Sequence, residues 1–124
     1  MVAVPLIQDA VRGARVRAAT DEFVINLMAA RMLAVTRQAD VEVTVGPGDY
    51  YEVPGRDGQP RRYTLPQGVR FVSSTSPIRF HPNGMVDGGA TTRLEARVDS
   101  RVVEQWEIRT SLLGVSTVTR EAQP

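Results

Sequence analysis

Apolar residues recur every three or four positions over the first third of the chain and every second position afterwards. The first pattern predicts one helix from about Pro5 to Gln38. Ala, Leu, Met and Arg dominate Arg17 to Arg37, and all are good helix formers. Pro5 suits a first turn, where a missing N–H is no loss; Gly13 is the single weak point. Phe23, Leu27, Ala30 and Ala34 share one face, and Val24, Met28, Arg31 and Val35 an adjacent one. Phe23, Leu27, Met28, Ala30, Ala34 and Val35 are therefore expected to pack on the sheet. Met32 and Leu33, with Ile25 and Ala29, make this stretch apolar almost all round, so both are either covered by strands, the favoured expectation, or form an exposed patch that meets a partner subunit. Upstream, Ile7, Ala10, Val11, Ala14 and Ala18 share a stripe. A helix of this length spans roughly 50 Å. That exceeds what a domain of this size can cover, so Ile7, Val11, Ala14 and Ala18 are expected to project past the sheet.

The second pattern predicts about eight short strands. Val41, Val43 and Val45 alternate with Glu42 and Thr44. Further strands are expected over Tyr50–Val53, Arg61–Leu65, Val69–Ser73, Ile78–Phe80, Thr92–Val98, Val102–Arg109 and Val115–Thr119, with Gly and Pro clusters between them. Asp99-Ser100-Arg101 is short enough for a hairpin. Helix first and strands after is an α+β pattern. It predicts one domain over 1–124: a helix over 1–38, an antiparallel β domain over 41–119, and a frayed tail over 120–124. A second sheet, or the second face of one, has to take Phe71, Phe80 and Trp106.

Composition narrows the function. Fifteen basic residues, all Arg, and 14 acidic ones leave a net charge of +1, which gives no reason to expect a polyanionic partner. There is no Cys, so disulfides, thiolate catalysis and zinc–sulfur sites are excluded. No apolar run reaches bilayer length, and no secretory signal stands at the N-terminus.

No residue pattern carries catalysis. His81 is the single histidine and has no metal-ligand spacing around it. Asp21 and Glu22 are adjacent and point about 100° apart on a helix, so they cannot work as a carboxylate pair. Ser73, Ser74 and Ser76 lack the context of a nucleophile. The glycine-rich segments do not run from a strand into a helix, as a phosphate loop would. Neither catalytic residues, nor a metal, nor a cofactor is expected. Arginines on the helix (Arg12, Arg15, Arg17, Arg31, Arg37) read as a solvated face, because stacking aromatics are interleaved with Arg only at Arg61-Arg62-Tyr63. Arg31, inside an apolar row, either pairs with Glu95 or Glu104 or extends to the surface.

In this order, the motifs resemble those of the GspH/FimT-type minor pseudopilins. Ala3-Val4-Pro5 sits at the family's A-x-P element, and Arg17-Ala18 precedes the Glu22-Phe23 position. Ala30-Arg31-Met32-Leu33-Ala34-Val35-Thr36-Arg37 matches A-R-S-E-A-I-x-R. Ile78-Arg79-Phe80-His81-Pro82-Asn83-Gly84 resembles I-x-F-x-P-x-G, and Ile108 to Gly114 the closing I-x-V-x-x-x-x-G. The family's prepilin peptidase site, with the methylation that accompanies it, and its apolar anchor are not in the sequence; an anchor upstream of Ala3 is the expectation. The resemblance implies a pilin-like fold, with a long helix on antiparallel sheets in a β-sandwich-type domain. It implies a non-enzymatic subunit of a type II secretion pseudopilus or type IV pilus, held at the bacterial inner membrane with its globular domain in the periplasm. Its partners would be other pseudopilins or pilins, which would cover Ile7, Val11, Ala14 and Ala18, and secreted cargo. The alternative is a FimT-like minor pilin that binds DNA during uptake. It is disfavoured because the C-terminal arginines tied to that activity are reduced to Arg120, beside Glu121.

Overall fold

The computed structural model describes the backbone of residues 3–46 and 48–121 and the side chains of residues 10–46 and 48–120. Helix α1 runs Ala3–Arg37, about 52 Å at 1.5 Å per residue. It stops where Gln38 turns left-handed (φ 53°). The Ala39 N–H then reaches back to the Ala34 carbonyl, and the Gln38 side chain donates to Val35 O. Both bonds occupy carbonyls that a helix end leaves open.

Eight strands follow: β1 Val41–Val45, β2 Tyr50–Pro54, β3 Pro60–Thr64, β4 Val69–Ser74, β5 Ile78–Phe80, β6 Ala90–Val98, β7 Arg101–Thr110 and β8 Ser116–Glu121. They form two antiparallel four-stranded sheets, ordered β3-β2-β1-β5 and β4-β6-β7-β8. The hairpin β6–β7 turns on Asp99 and Ser100, with Val98 opposite Arg101. Asp99 takes the left-handed conformation (φ 57°) that its short side chain tolerates. Arg120 and Glu121, expected to fray, complete β8 by pairing with Trp106 and Gln105.

The helix rests mainly on β6 and β7 and also on β1, so it joins the two sheets. Its inward row is Val16, Thr20, Phe23, Leu27, Ala30 and Ala34, all buried, with Ala19 beside them. Thr20 hides its hydroxyl by bonding to Val16 O, four residues back. Phe23 is the meeting point. Its ring lies edge-on to Tyr51 of β2 at 4.8 Å and to Phe71 of β4 at 5.6 Å, one aromatic from each sheet. Tyr51 in turn stacks on Tyr63. Phe71 and Phe80 are buried, and Trp106 packs half-buried against the core.

Burial pushes the Tyr51 hydroxyl up to about 12; the hydrogen bond from Asn26 acts the other way, and Glu22 and Tyr63 add to the rise. The sign follows directly: the stability from a neutral, buried Tyr51 is complete below its ordinary value of 10.0 and is lost as pH rises through about 12. Alkaline titration followed by tyrosinate absorbance should show a late step near pH 12 that is absent in Tyr51→Phe.

Several expectations are corrected. Met28 (62% exposed), Met32 (63%) and Val35 (37%) are not covered by strands. Met28 and Val35 each stand one residue, about 100°, past Leu27 and Ala34, and that rotation carries them off the sheet. Leu33 is half-buried against the core. The stripe does not project as expected either. The β domain follows α1 as far as Arg12, which donates to Gln67 O, and Gly13, which is buried. Ala14 and Ala18 are exposed because they face away from the sheet, not because they lie beyond it. The side chain of Ile7 is outside the described residues.

Candidate functional site

Two features of the domain are candidates for function: the outer face of α1 and the junction where α1 meets the turns. The outer face is apolar in spite of its exposure. Val11, Ile25, Met28, Met32 and Val35 are all exposed large hydrophobics, with Ala14, Ala18 and Ala29 among them. A helix apolar on the side away from its own core has a surface suited to a partner.

The junction is built by Arg31. Its Nε donates to the Gly84 carbonyl at 3.0 Å, and its guanidinium lies over Gly84 and Gly114. Gly84 ends the turn after β5, and Gly114 the turn between β7 and β8; both are left-handed (φ 81° each). Neither carboxylate proposed for Arg31 is its partner. Thus three motif residues far apart in sequence, Arg31, Gly84 and Gly114, converge on one contact. Exposed Met85, Leu112, Leu113 and Val115 flank these glycines.

Glu104 and Glu95 serve other arginines. Glu104, 6% exposed, accepts from Trp106 Nε1 at 2.9 Å and is approached by Arg17 at 4.0 Å and Arg120 at 3.4 Å. Gly13 lies opposite it, and a Cβ there would meet the end of the Glu104 side chain, which would have to shift. Glu95 shows two opposed effects: burial alone would raise its carboxyl, but hydrogen bonds from Arg70, Arg97 and Gln105 outweigh it and hold the group below the ordinary carboxylate value. Glu107 meets Arg93 and Arg109, and Glu42 meets Arg79. Arg62 lies 4.2 Å over the Tyr50 ring and near Glu52, while Tyr63 stacks on Tyr51. Arg62 and Tyr63 are thus engaged within the domain. Much of the basic charge is neutralised in place, and among the described residues no exposed aromatic platform accompanies it, unlike in single-strand nucleic-acid binders.

Ser74, Ser76 and His81 have partners within the fold. Ser76 Oγ accepts from the Val45 N–H, and Ser74 Oγ bonds with Thr92 Oγ1. His81 sits between Asp87, 2.8 Å from Nε2, and Asp40, 3.1 Å from Nδ1. Asp87 first and Asp40 second raise its pKa above 6.5. Stability from this charged triplet is full below pH 6.5 and fades as pH rises through the higher value of the folded protein. An NMR titration of the ring should show the raised value, and Asp87→Asn should lower it more than Asp40→Asn. Among the described residues no group of three or more potential ligands is arranged to hold a metal, and no helix is long and apolar enough to cross a membrane.

Comparison with known proteins fits this geometry. No curated protein sequence matches the chain. Its fold is similar to that of the minor pseudopilin EpsH from the Type 2 Secretion System of Vibrio cholerae, with a TM-score of 0.62, 14% identity, and coverage of 86% of this chain and 97% of that one. The family model for the type II transport protein GspH matches residues 19–114. That range takes in α1 from Ala19, strands β1 to β7 and the convergence of Arg31 with Gly84 and Gly114, and the chain therefore belongs to the family of the type II transport protein GspH.

Proposed function

We propose that the chain works by surfaces and not by catalysis: α1 docks its outer face against the helices of neighbouring pseudopilins, and the β domain sits at the tip or side of the filament. The observation that carries this is the run of exposed apolar residues along α1, from Val11 to Val35, opposite the buried row from Val16 to Ala34. Exposed apolar surface of this extent is costly in a monomer and is relieved by assembly. Val11, Ala14 and Ala18 form the upstream part of that surface. Other pseudopilins are the partners and secreted cargo a further one. The working location is the periplasmic side of the inner membrane.

Val11→Asp tests the reading. Val11 is half-exposed and outside the core, so the melting temperature of the domain should move by less than about 2 °C. In cells assembling the filament, the same change should abolish incorporation of the chain and the secretion that depends on it. A large loss of thermal stability would instead make Val11 a core residue. Duplex DNA should not be retained in a gel shift at low salt, where phosphate contacts are strongest; sub-micromolar binding would favour the DNA-uptake reading.

A further inference from the structure

The two sheets end in four edge strands: β3 and β5 in one, β4 and β8 in the other. An edge offers a row of unpaired N–H and C=O groups to any other chain, and proteins blunt that row with Pro, charge, bulges, short length or a covering segment. Three of these edges are blunted. β3 begins on Pro60 and carries Arg61 and Arg62. β4 is bulged between Phe71 and Ser73, and its Phe71 N–H donates to the Gly48 carbonyl. β5 has three residues, and Val86 bridges Phe80 on the side away from β1.

β8 has none of these devices. Its six residues contain no Pro and pair with β7 in unbroken register. Its charges, Arg120 and Glu121, stand at the end away from the turn, and Arg120 is drawn toward Glu104. Val115 to Thr119 is uncharged and rich in Thr and Val, which suit strands. The Ser111 N–H donates to Val115 O, which fixes the alternation of the ladder. Thr117 and Thr119 turn their backbone groups toward β7, and Ser116, Val118 and Arg120 turn theirs outward. Among the described residues no strand lies beyond them.

This open edge runs along the flank of the domain. Gly114, just before β8, lies against Arg31, and Arg120 shares Glu104 with Arg17. From Arg31 back to Arg17 the helix covers about 21 Å, and from Gly114 to Arg120 an extended strand covers about 20 Å. β8 therefore runs beside α1 in the opposite direction, with its edge facing sideways, where a neighbour in a bundle of helices stands. A second copy of this chain does not fit there. Two β8 edges paired antiparallel would reverse one α1, and paired parallel they would put the two helices on opposite faces of the joined sheet. Neither leaves both helices in one bundle, and the other edges of the chain are blunted.

We infer that the free edge of β8 takes up an edge strand of a different pseudopilin, extending the sheet β4-β6-β7-β8 across the subunit boundary. The added strand would bond through its backbone to Ser116, Val118 and Arg120. It would set an apolar side chain beside Val118, which pairs with the buried Ile108. The inference rests on the assembly reading above and adds to it a contact made by the β domain.

The test uses the full chain in cells that assemble the filament. A photo-crosslinking residue, p-benzoylphenylalanine, replaces the exposed Thr119, and the joined peptide is identified. The expected adduct lies in a β-strand of a different pseudopilin. Val118→Pro removes an outward N–H, which an edge strand tolerates, and should lower incorporation at least about tenfold. Thr119→Pro removes an N–H directed at β7 and should lower the melting temperature of the domain by at least about 5 °C; Val118→Pro should lower it by less than about half as much. The crosslink reads the same contact in a chain without an added proline. An adduct to a second copy, to a helix or to a secreted protein overturns the inference, and so does the absence of an adduct or wild-type incorporation of Val118→Pro. Equal thermal losses from the two prolines also overturn it, because the Val118 N–H would then belong to the ladder. If Val11→Asp still abolishes incorporation in those cases, the assembly reading stands and only the strand contact falls; if Val11→Asp is also without effect, the assembly reading falls with it.

Discussion

Phe23→Ala should cost the folded domain roughly 3–5 kcal/mol, or about 10–20 °C in melting temperature. The ring is fully buried, and its removal takes away more than area. Phe23 is edge-on to Tyr51 in one sheet and to Phe71 in the other, and such pairs add about 0.5–1.5 kcal/mol each beyond burial. The cavity would open where the helix and both sheets meet. Tyr51 and Phe71 already contact each other at 6.0 Å, and Tyr51 is held by Asn26 and Tyr63, so neither ring is free to fill it. Met28→Ala, five residues on and 62% exposed, should change stability by less than about 0.5 kcal/mol. Thermal or urea unfolding of the two variants separates core from surface on α1. Comparable losses would mean that Met28 is covered in the folded monomer.

The contrast between these residues shows what the sequence could not supply. Strands were legible because their two faces differ: Val41, Val43 and Val45 are buried while Glu42 and Thr44 are exposed, and alternation says so directly. The helix was legible as a helix but not as to which side is core, because both sides are apolar. Val16 carries no core signal in the sequence, since Arg15 and Arg17 flank it. In the fold Arg15 points outward and Arg17 reaches Glu104, leaving Val16 buried between them. Glu95, Glu104 and Glu107 read as ordinary strand polar positions, yet all three are buried beneath arginines or beside Trp106. Such pairs join residues distant in sequence, so no local pattern announces them. Arg31 was open between carboxylate partners and surface; its partner is a backbone carbonyl 53 residues away. The motifs nevertheless held the right positions, since Arg31, Gly84 and Gly114 each fall in a segment matched to the family.

That junction gives the second large effect. Gly114→Ala should destabilise the domain by roughly 3 kcal/mol or more, from two causes that a control can separate. The first is backbone conformation: Gly114 has φ 81°, where an L side chain costs about 1–2 kcal/mol. The second is space. A Cβ there would overlap the Gly84 carbonyl oxygen and crowd Nε and Cδ of Arg31. The carbonyl belongs to the backbone and cannot swing aside, so the two turns would have to separate. Separation would break the Arg31–Gly84 hydrogen bond, worth about 1.5–3 kcal/mol for a charged donor. Gly88→Ala is the control: Gly88 is also left-handed (φ 70°), but a Cβ there meets nothing within 4 Å, so its loss should stop at the conformational cost of about 1–2 kcal/mol. Arg31→Ala in the Gly114→Ala background should recover little, because the overlap with Gly84 O persists without the guanidinium. If Gly114→Ala and Gly88→Ala lose the same stability in urea unfolding, the two turns are free to part and the junction does not hold them together.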